Sequence, residues 1–123
     1  MNKILKSIAV TLVSFLLLDT IYFTLLYRYM NNVIEKLQRK PMNIRYGSAF
    51  ICYLAMTALL VYFIVIQKRS IREAFFLGFL VYLIYETTNY AILKDWSLSL
   101  VWIDSLWGGI LFMTVAWINK IFA

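Results

Sequence analysis

The chain has 123 residues, 63% of them hydrophobic and only 15% charged, whereas a soluble globular chain is near 45–50% apolar and about 25% charged. That excludes an ordinary soluble domain and points to a single integral membrane domain spanning residues 1–123. The formal charge is +6, but the basic residues lie at the ends of apolar runs, where they face lipid headgroups, so the charge is no sign of nucleic-acid binding. With one cysteine, Cys52, and no histidine, an intrachain disulfide, histidine-based catalysis and histidine metal ligation are excluded. Cys52 itself reads as an inert buried thiol.

The hydropathy pattern predicts an all-α, four-transmembrane-helix bundle. The first span covers about residues 4–27, enough to cross a hydrocarbon core of ~30 Å. Its start, Met1-Asn2-Lys3-Ile4-Leu5-Lys6, resembles a signal-peptide n-region. However, no small-x-small site follows and the apolar run continues past Asp19, so a retained anchor is expected. Residues 29–40 are amphipathic: Met30, Val33, Ile34 and Leu37 recur at i, i+3, i+4 and i+7, with Glu35, Lys36, Arg39 and Lys40 on the other side. That pattern predicts a short helix lying in the interface, the alternative being a first helix that extends into water. Pro41 is suited to open the next helix.

The second span, about 45–66, holds no acid, and Tyr53, Thr57 and Tyr62 are polar groups that one neighbour can satisfy, so it reads as scaffold. Ser70-Ile71-Arg72-Glu73 fits a capping box and sets the start of the third span, about 71–93. The tight turn before it predicts antiparallel packing of the second and third spans. Asp95 or Ser97 can cap the fourth span, about 98–118, and Trp96 suits the headgroup layer. Four spans put both termini on one side. The basic residues divide six against six between the two sides. Cytoplasmic termini are expected because the N-terminus and the 67–70 turn carry their charges closest to the spans.

Besides Glu73 of the capping box, three acids lie deep inside these spans: Asp19, Glu86 and Asp104. An ionisable group at membrane depth is costly by about 2.5–3.5 kcal/mol on insertion scales, which makes it a functional candidate by default. Asp19 and Glu86 lie four residues past the middles of their spans and Asp104 four before its own, so at ~1.5 Å per residue all three fall about 6 Å from the midplane, on the side of the 28–45 segment. Each acid begins the same local pattern: Asp19-Thr20-Ile21-Tyr22, Glu86-Thr87-Thr88-Asn89 and Asp104-Ser105-Leu106-Trp107. Positions i and i+3 share a helix face, so Tyr22, Asn89 and Trp107 can line a site beside their acids, and Tyr85 lies on a nearby face. Gly108 and Gly109 allow a neighbouring helix to come close to the fourth span. No Lys or Arg lies within a turn of any of the three acids. Three close carboxylates in a poor dielectric cannot all be ionised, so at least one is expected to hold a proton unless an imported cation neutralises the group.

These residues resemble a family of small membrane proteins catalogued as a domain of unknown function, number 2177. The resemblance covers nearly the whole chain. It is carried by Leu18-Asp19 with Tyr22, by Tyr85-Glu86-x-Thr88-Asn89-x-Ala91 followed by Trp96-Ser97-Leu98, and by Asp104-x-x-Trp107-Gly108. The family more often has Asp where this chain has Glu86 and Trp where it has Tyr22, and both replacements keep the chemical type. The resemblance implies a four-span membrane protein and brings no established activity.

The sequence therefore favours a multi-pass protein with an acidic polar pocket formed by Asp19, Tyr22, Tyr85, Glu86, Asn89, Asp104 and Trp107. Such a pocket would bind or move a proton, a small cation or a small polar ligand. The terminal half of each span reads as almost wholly apolar, which favours a pocket open to one side over a pore. One alternative is an intramembrane lipid-binding or lipid-modifying enzyme with Glu86 or Asp104 as general acid or base. Another is a structural assembly factor in which the protonated acids merely join helices. The expected partners are membrane lipid and further copies of the chain. No cofactor and no metal-ligand set can be read from the sequence.

Overall fold

The computed structural model describes residues 2–39 and 44–123, and all regular structure among them is helical. α1 covers Lys3–Gln38, α2 Tyr46–Leu60 followed by a π-helical turn at Val61–Val65, α3 Ile71–Ile92 and α4 Leu98–Phe122. Four helices are long and apolar enough to cross a membrane, α2 together with its π turn counting as one.

The polar residues at the helix starts act as the sequence predicts. Ser70 Oγ accepts from the Glu73 amide at 3.2 Å while Glu73 Oε1 accepts from the Ser70 amide at 3.4 Å, the reciprocal pair that satisfies two otherwise free donors at the start of α3. Of the two candidates for α4, Ser97 is the cap: its Oγ accepts from the Leu100 amide at 3.1 Å. Asn2 caps α1 by accepting from the Ile4 amide at 2.7 Å.

The interfacial helix expected over 29–40 is not a separate element. Residues 29–38 are the last turns of α1, which runs unbroken for 36 residues. That makes it about 54 Å long against a hydrocarbon core of ~30 Å. No Pro or Gly interrupts it, and its apolar face has a protein partner. Met30 and Val33 are buried with Leu100, and Tyr22, Leu26 and Trp96 pack around them. The helix ends at Arg39, in the left-handed region at φ 58°, whose amide donates to the Glu35 carbonyl at 2.7 Å. Lys40 and the expected helix start at Pro41 lie outside the described residues.

Side-to-side, the helices run in the order α2, α1, α4, α3. The second and third spans, expected to pack together because the turn between them is short, each have a different principal partner. The reason is steric. A Cβ at Gly78 would overlap the Gly108 carbonyl oxygen, and one at Gly109 would come within 2.7 Å of the Phe75 ring, so α3 and α4 approach almost backbone to backbone. α2 has no such surface: nothing would lie within 4 Å of a Cβ at Gly47. α2 reaches α3 through long side chains, such as the Tyr82 hydroxyl 3.9 Å from Met56 Sδ.

Phe15, Leu60, Ile64, Leu111, Phe112 and Val115 fill the centre. Large apolar side chains also cover the outside; Leu25 and Ile92 are 78% and 72% exposed. An apolar exterior is unfavourable in water and suits lipid tails, and it leaves the interior as the place for polar groups.

Candidate functional site

The inward face of α1 is a stripe at every fourth residue: Ser7, Thr11, Phe15 and Asp19, all buried. Helix geometry puts positions four apart on one face, so this stripe is what α1 presents to the bundle. α4 runs antiparallel to it and meets it rung by rung. Asn119 lies against Ser7 and Thr11, Phe112 against Phe15, Trp107 against Asp19, and Asp104 against Tyr22.

The two acid-x-x-aromatic patterns on α1 and α4 interlock. Trp107 Nε1 donates to Asp19 Oδ1 at 2.8 Å, and the Tyr22 hydroxyl donates to Asp104 Oδ1. The two aromatic rings stack between these bonds, 4.6 Å apart and 2° from parallel. Because the helices are antiparallel, a spacing of three on each makes the exchange reciprocal: each helix supplies the acid for the other's donor. The remaining Asp19 oxygen accepts from the Tyr53 hydroxyl of α2 at 2.5 Å. Asp19 is 4% exposed, and both of its oxygens are engaged.

Glu86 reaches the same network from α3 and is completely buried. Its Oε2 accepts from Trp96 Nε1 at 3.0 Å. The Asp104 carboxyl of α4 is its near neighbour, and Oε1 has no donor among the described residues. Carboxylates only accept, so two side by side can bond to each other only through a proton. Among the described residues no ion pair supplies a counter-charge; the one found is Arg69–Glu73, 2.8 Å, at the other end of α3.

Of the residues singled out from the sequence, Asp19, Tyr22, Asp104 and Trp107 come together in the reciprocal pair, and Glu86 adjoins Asp104. The acids are not on one level. Asp19 stands opposite Trp107, one turn deeper than Asp104, an offset of about 4.5 Å. Tyr85 points away, 59% exposed. Asn89 is half-buried, and its side chain makes no hydrogen bond among the described residues. Cys52 is exposed on α2 rather than buried.

Several participants are not evident from composition. Tyr53 belongs to a span read as scaffold, and it became the second donor to Asp19. Trp96, read as a headgroup anchor, turns inward to Glu86, held there as the 93–97 turn packs on the extension of α1, where the Tyr29 and Ser97 hydroxyls lie 2.5 Å apart. The terminal half of the bundle is not wholly apolar either. Ser7 Oγ donates to Asn119 Oδ1 at 2.5 Å, and Asn119 Nδ2 donates to Thr11 Oγ1 at 2.8 Å. The period-four polar stripe 7, 11, 19 on α1 is the signal that points to this cluster.

A family model described as a predicted membrane protein of unknown function, DUF2177, matches residues 4–121. The chain belongs to this family. The DUF2177 assignment accords with four helices able to span a membrane and with lipid as their surroundings. Neither a curated protein nor a solved structure matches the chain.

Proposed function

We propose that this DUF2177 protein holds an exchangeable proton inside the membrane, at the Glu86–Asp104 pair. The supporting observation is the environment of Glu86: completely buried, near a second carboxyl, with one oxygen lacking a donor and no ion-pair partner among the described residues. Isolated ionised carboxylates are too poorly solvated there to persist together, and a shared proton removes one charge and supplies the missing donor. Among the described residues no three of His, Cys, Asp and Glu converge as a metal-ligand set, which favours a proton over a metal cation as occupant.

Within this reading each neighbour has a task. Tyr22 donates to Asp104 Oδ1 and so occupies one of its oxygens, while the proton is shared between Asp104 and the free oxygen of Glu86. Trp96 covers Glu86 at the end of the bundle nearest the 93–97 turn. Asp19, with Tyr53 and Trp107 both donating to it, is the fixed member that holds the Trp107 and Tyr22 rings in register.

Infrared spectroscopy of the protein in lipid films, stepped through pH, tests this. A protonated-carboxyl C=O band that exchanges with deuterium is expected. It should be absent in Glu86→Gln and displaced in Asp104→Asn, with Tyr85→Phe unchanged. A band unaltered by both carboxyl variants would overturn the assignment.

A further inference from the structure

The α1–α4 seam carries polar groups on both sides of a single apolar constriction. On one side are Asp19, Tyr22, Asp104 and Glu86. On the other are Ser7, Thr11 and Asn119, respectively 2%, 0% and 4% exposed and linked through Asn119 into a chain of hydrogen bonds. Between them stand Phe15 and Phe112, both fully buried, with ring centroids 5.1 Å apart. Thr57 of α2 is one turn from Tyr53, in the direction that leads from Asp19 towards Phe15. It is buried, and its hydroxyl has no hydrogen-bond partner among the described residues. A hydroxyl left unpaired in an apolar interior is unfavourable unless something pairs with it in another state.

Hydrogen-bonded hydroxyls and amides buried in a transmembrane bundle return little stability relative to apolar packing. Polar residues aligned along one seam with an ionisable pair are what a proton relay requires, and an apolar constriction is how such a path is kept closed. We propose that the carboxyl pair is reached from both faces of the membrane. Ser7, Thr11 and Asn119 form the terminal-side half of a proton path along the α1–α4 seam, and Phe15 with Phe112 form its closed constriction. The protein then carries protons across the bilayer. This rests on the proton-holding reading of Glu86 and Asp104 and extends it from binding to transfer.

The step balances without a co-reactant. A hydronium ion at one face loses a proton and becomes water. The proton is held on the carboxyl pair, and a water at the other face receives it to form hydronium. The Ser7 and Thr11 hydroxyls each accept and donate, and Asn119 orients them. When the Phe15 and Phe112 rings part, the unpaired Thr57 hydroxyl offers a partner to water at the constriction. The difference in proton potential across the membrane is the driving force.

The experiment reconstitutes the full chain into vesicles of phosphatidylethanolamine and phosphatidylglycerol enclosing a pH-sensitive dye, with a valinomycin potassium potential as the drive. Proton flux above that of protein-free vesicles is expected. It should fall at least about tenfold in Glu86→Gln and in Asn119→Leu, equivalent to about 1.4 kcal/mol on the barrier. Thr11→Val, nearly isosteric and leaving Asn119 Nδ2 its bond to the Val115 carbonyl, should lower it in the same direction, and Phe15→Ala should raise it. Absence of flux while the Glu86 infrared band still responds to pH would overturn the path and leave the proton site standing. Flux that Glu86→Gln stops but Asn119→Leu and Thr11→Val leave unchanged would overturn this route. Loss of the band assignment itself would instead undo the reading beneath it.

Discussion

α4 has two working faces, and they hold their partners by different physics. Towards α3 it presents Gly108 and Gly109, and the contact is dispersion between backbones brought close by the absence of side chains. Towards α1 it presents Asp104, Trp107 and Asn119, and around the Phe15–Phe112 contact the seam is made of directed hydrogen bonds and one ring stack. The first interface tolerates no added volume and needs no particular chemistry. The second depends on donors meeting acceptors.

The contrast predicts a graded series of outcomes. Gly78→Leu is expected to be the most damaging. The added side chain would collide with the Gly108 carbonyl, and a backbone cannot step aside as a flexible side chain can. Overpacking costs typically about 1–3 kcal/mol, and more when the backbone must shift, so thermal unfolding in detergent should show the largest fall in Tm here. A Gly78→Leu protein as stable as the natural one would mean that the glycine contact is not what joins α3 to α4.

Next comes Asp19→Ala, which strips the acceptor from both Tyr53 and Trp107. Each buried donor left unpaired costs about 1–3 kcal/mol. Asp19→Asn keeps one acceptor oxygen and should cost clearly less. Equal Tm values for the two variants would show that the donors find other partners, and the polar face of α4 would then be no more exacting than the apolar one.

Tyr22→Phe is milder, because it removes the bond to Asp104 but keeps the stack on Trp107. Interhelical hydrogen bonds in bilayers average about 0.6 kcal/mol. The reciprocal arrangement is tested better by a double-mutant cycle of Tyr22→Phe with Trp107→Phe, where a coupling above about 0.5 kcal/mol is expected for residues in contact. Simple additivity would reduce the pair to two independent bonds. Smallest of all is Tyr85→Phe, within about 0.5 kcal/mol of no change, as for exposed positions without partners. A larger loss would place Tyr85 in contacts that its 59% exposure does not suggest.

Hydropathy and capping are local properties, so they could be read without a fold. The four spans and the Ser70–Glu73 box each depend on residues within a few turns of one another. The acid-x-x-donor pattern at Asp19 and Asp104 was also visible in one dimension, but its meaning was not. Three residues on one helix become a reciprocal exchange only when the partner helix is antiparallel and in register. The third copy, Glu86 to Asn89, repeats the pattern without the exchange. Trp96 and Tyr53 escaped because a tryptophan at a span end and a tyrosine within a span have ordinary explanations, in the headgroup layer and in local packing. The extension of α1 was ambiguous for a related reason: an amphipathic stripe fits a lipid surface or a protein surface equally well, and here Leu100 and Trp96 provide the latter.

The amino-acid order by itself determined that this is a four-span helical membrane chain and that three carboxyls lie within it, since transfer from water to lipid acts on each segment separately. Which helices touch, which donor meets which acid, and that Glu86 adjoins Asp104 were decided only by the tertiary structure. Those pairings follow from where glycines permit close approach and from the register of antiparallel helices, and both are properties of two segments at once.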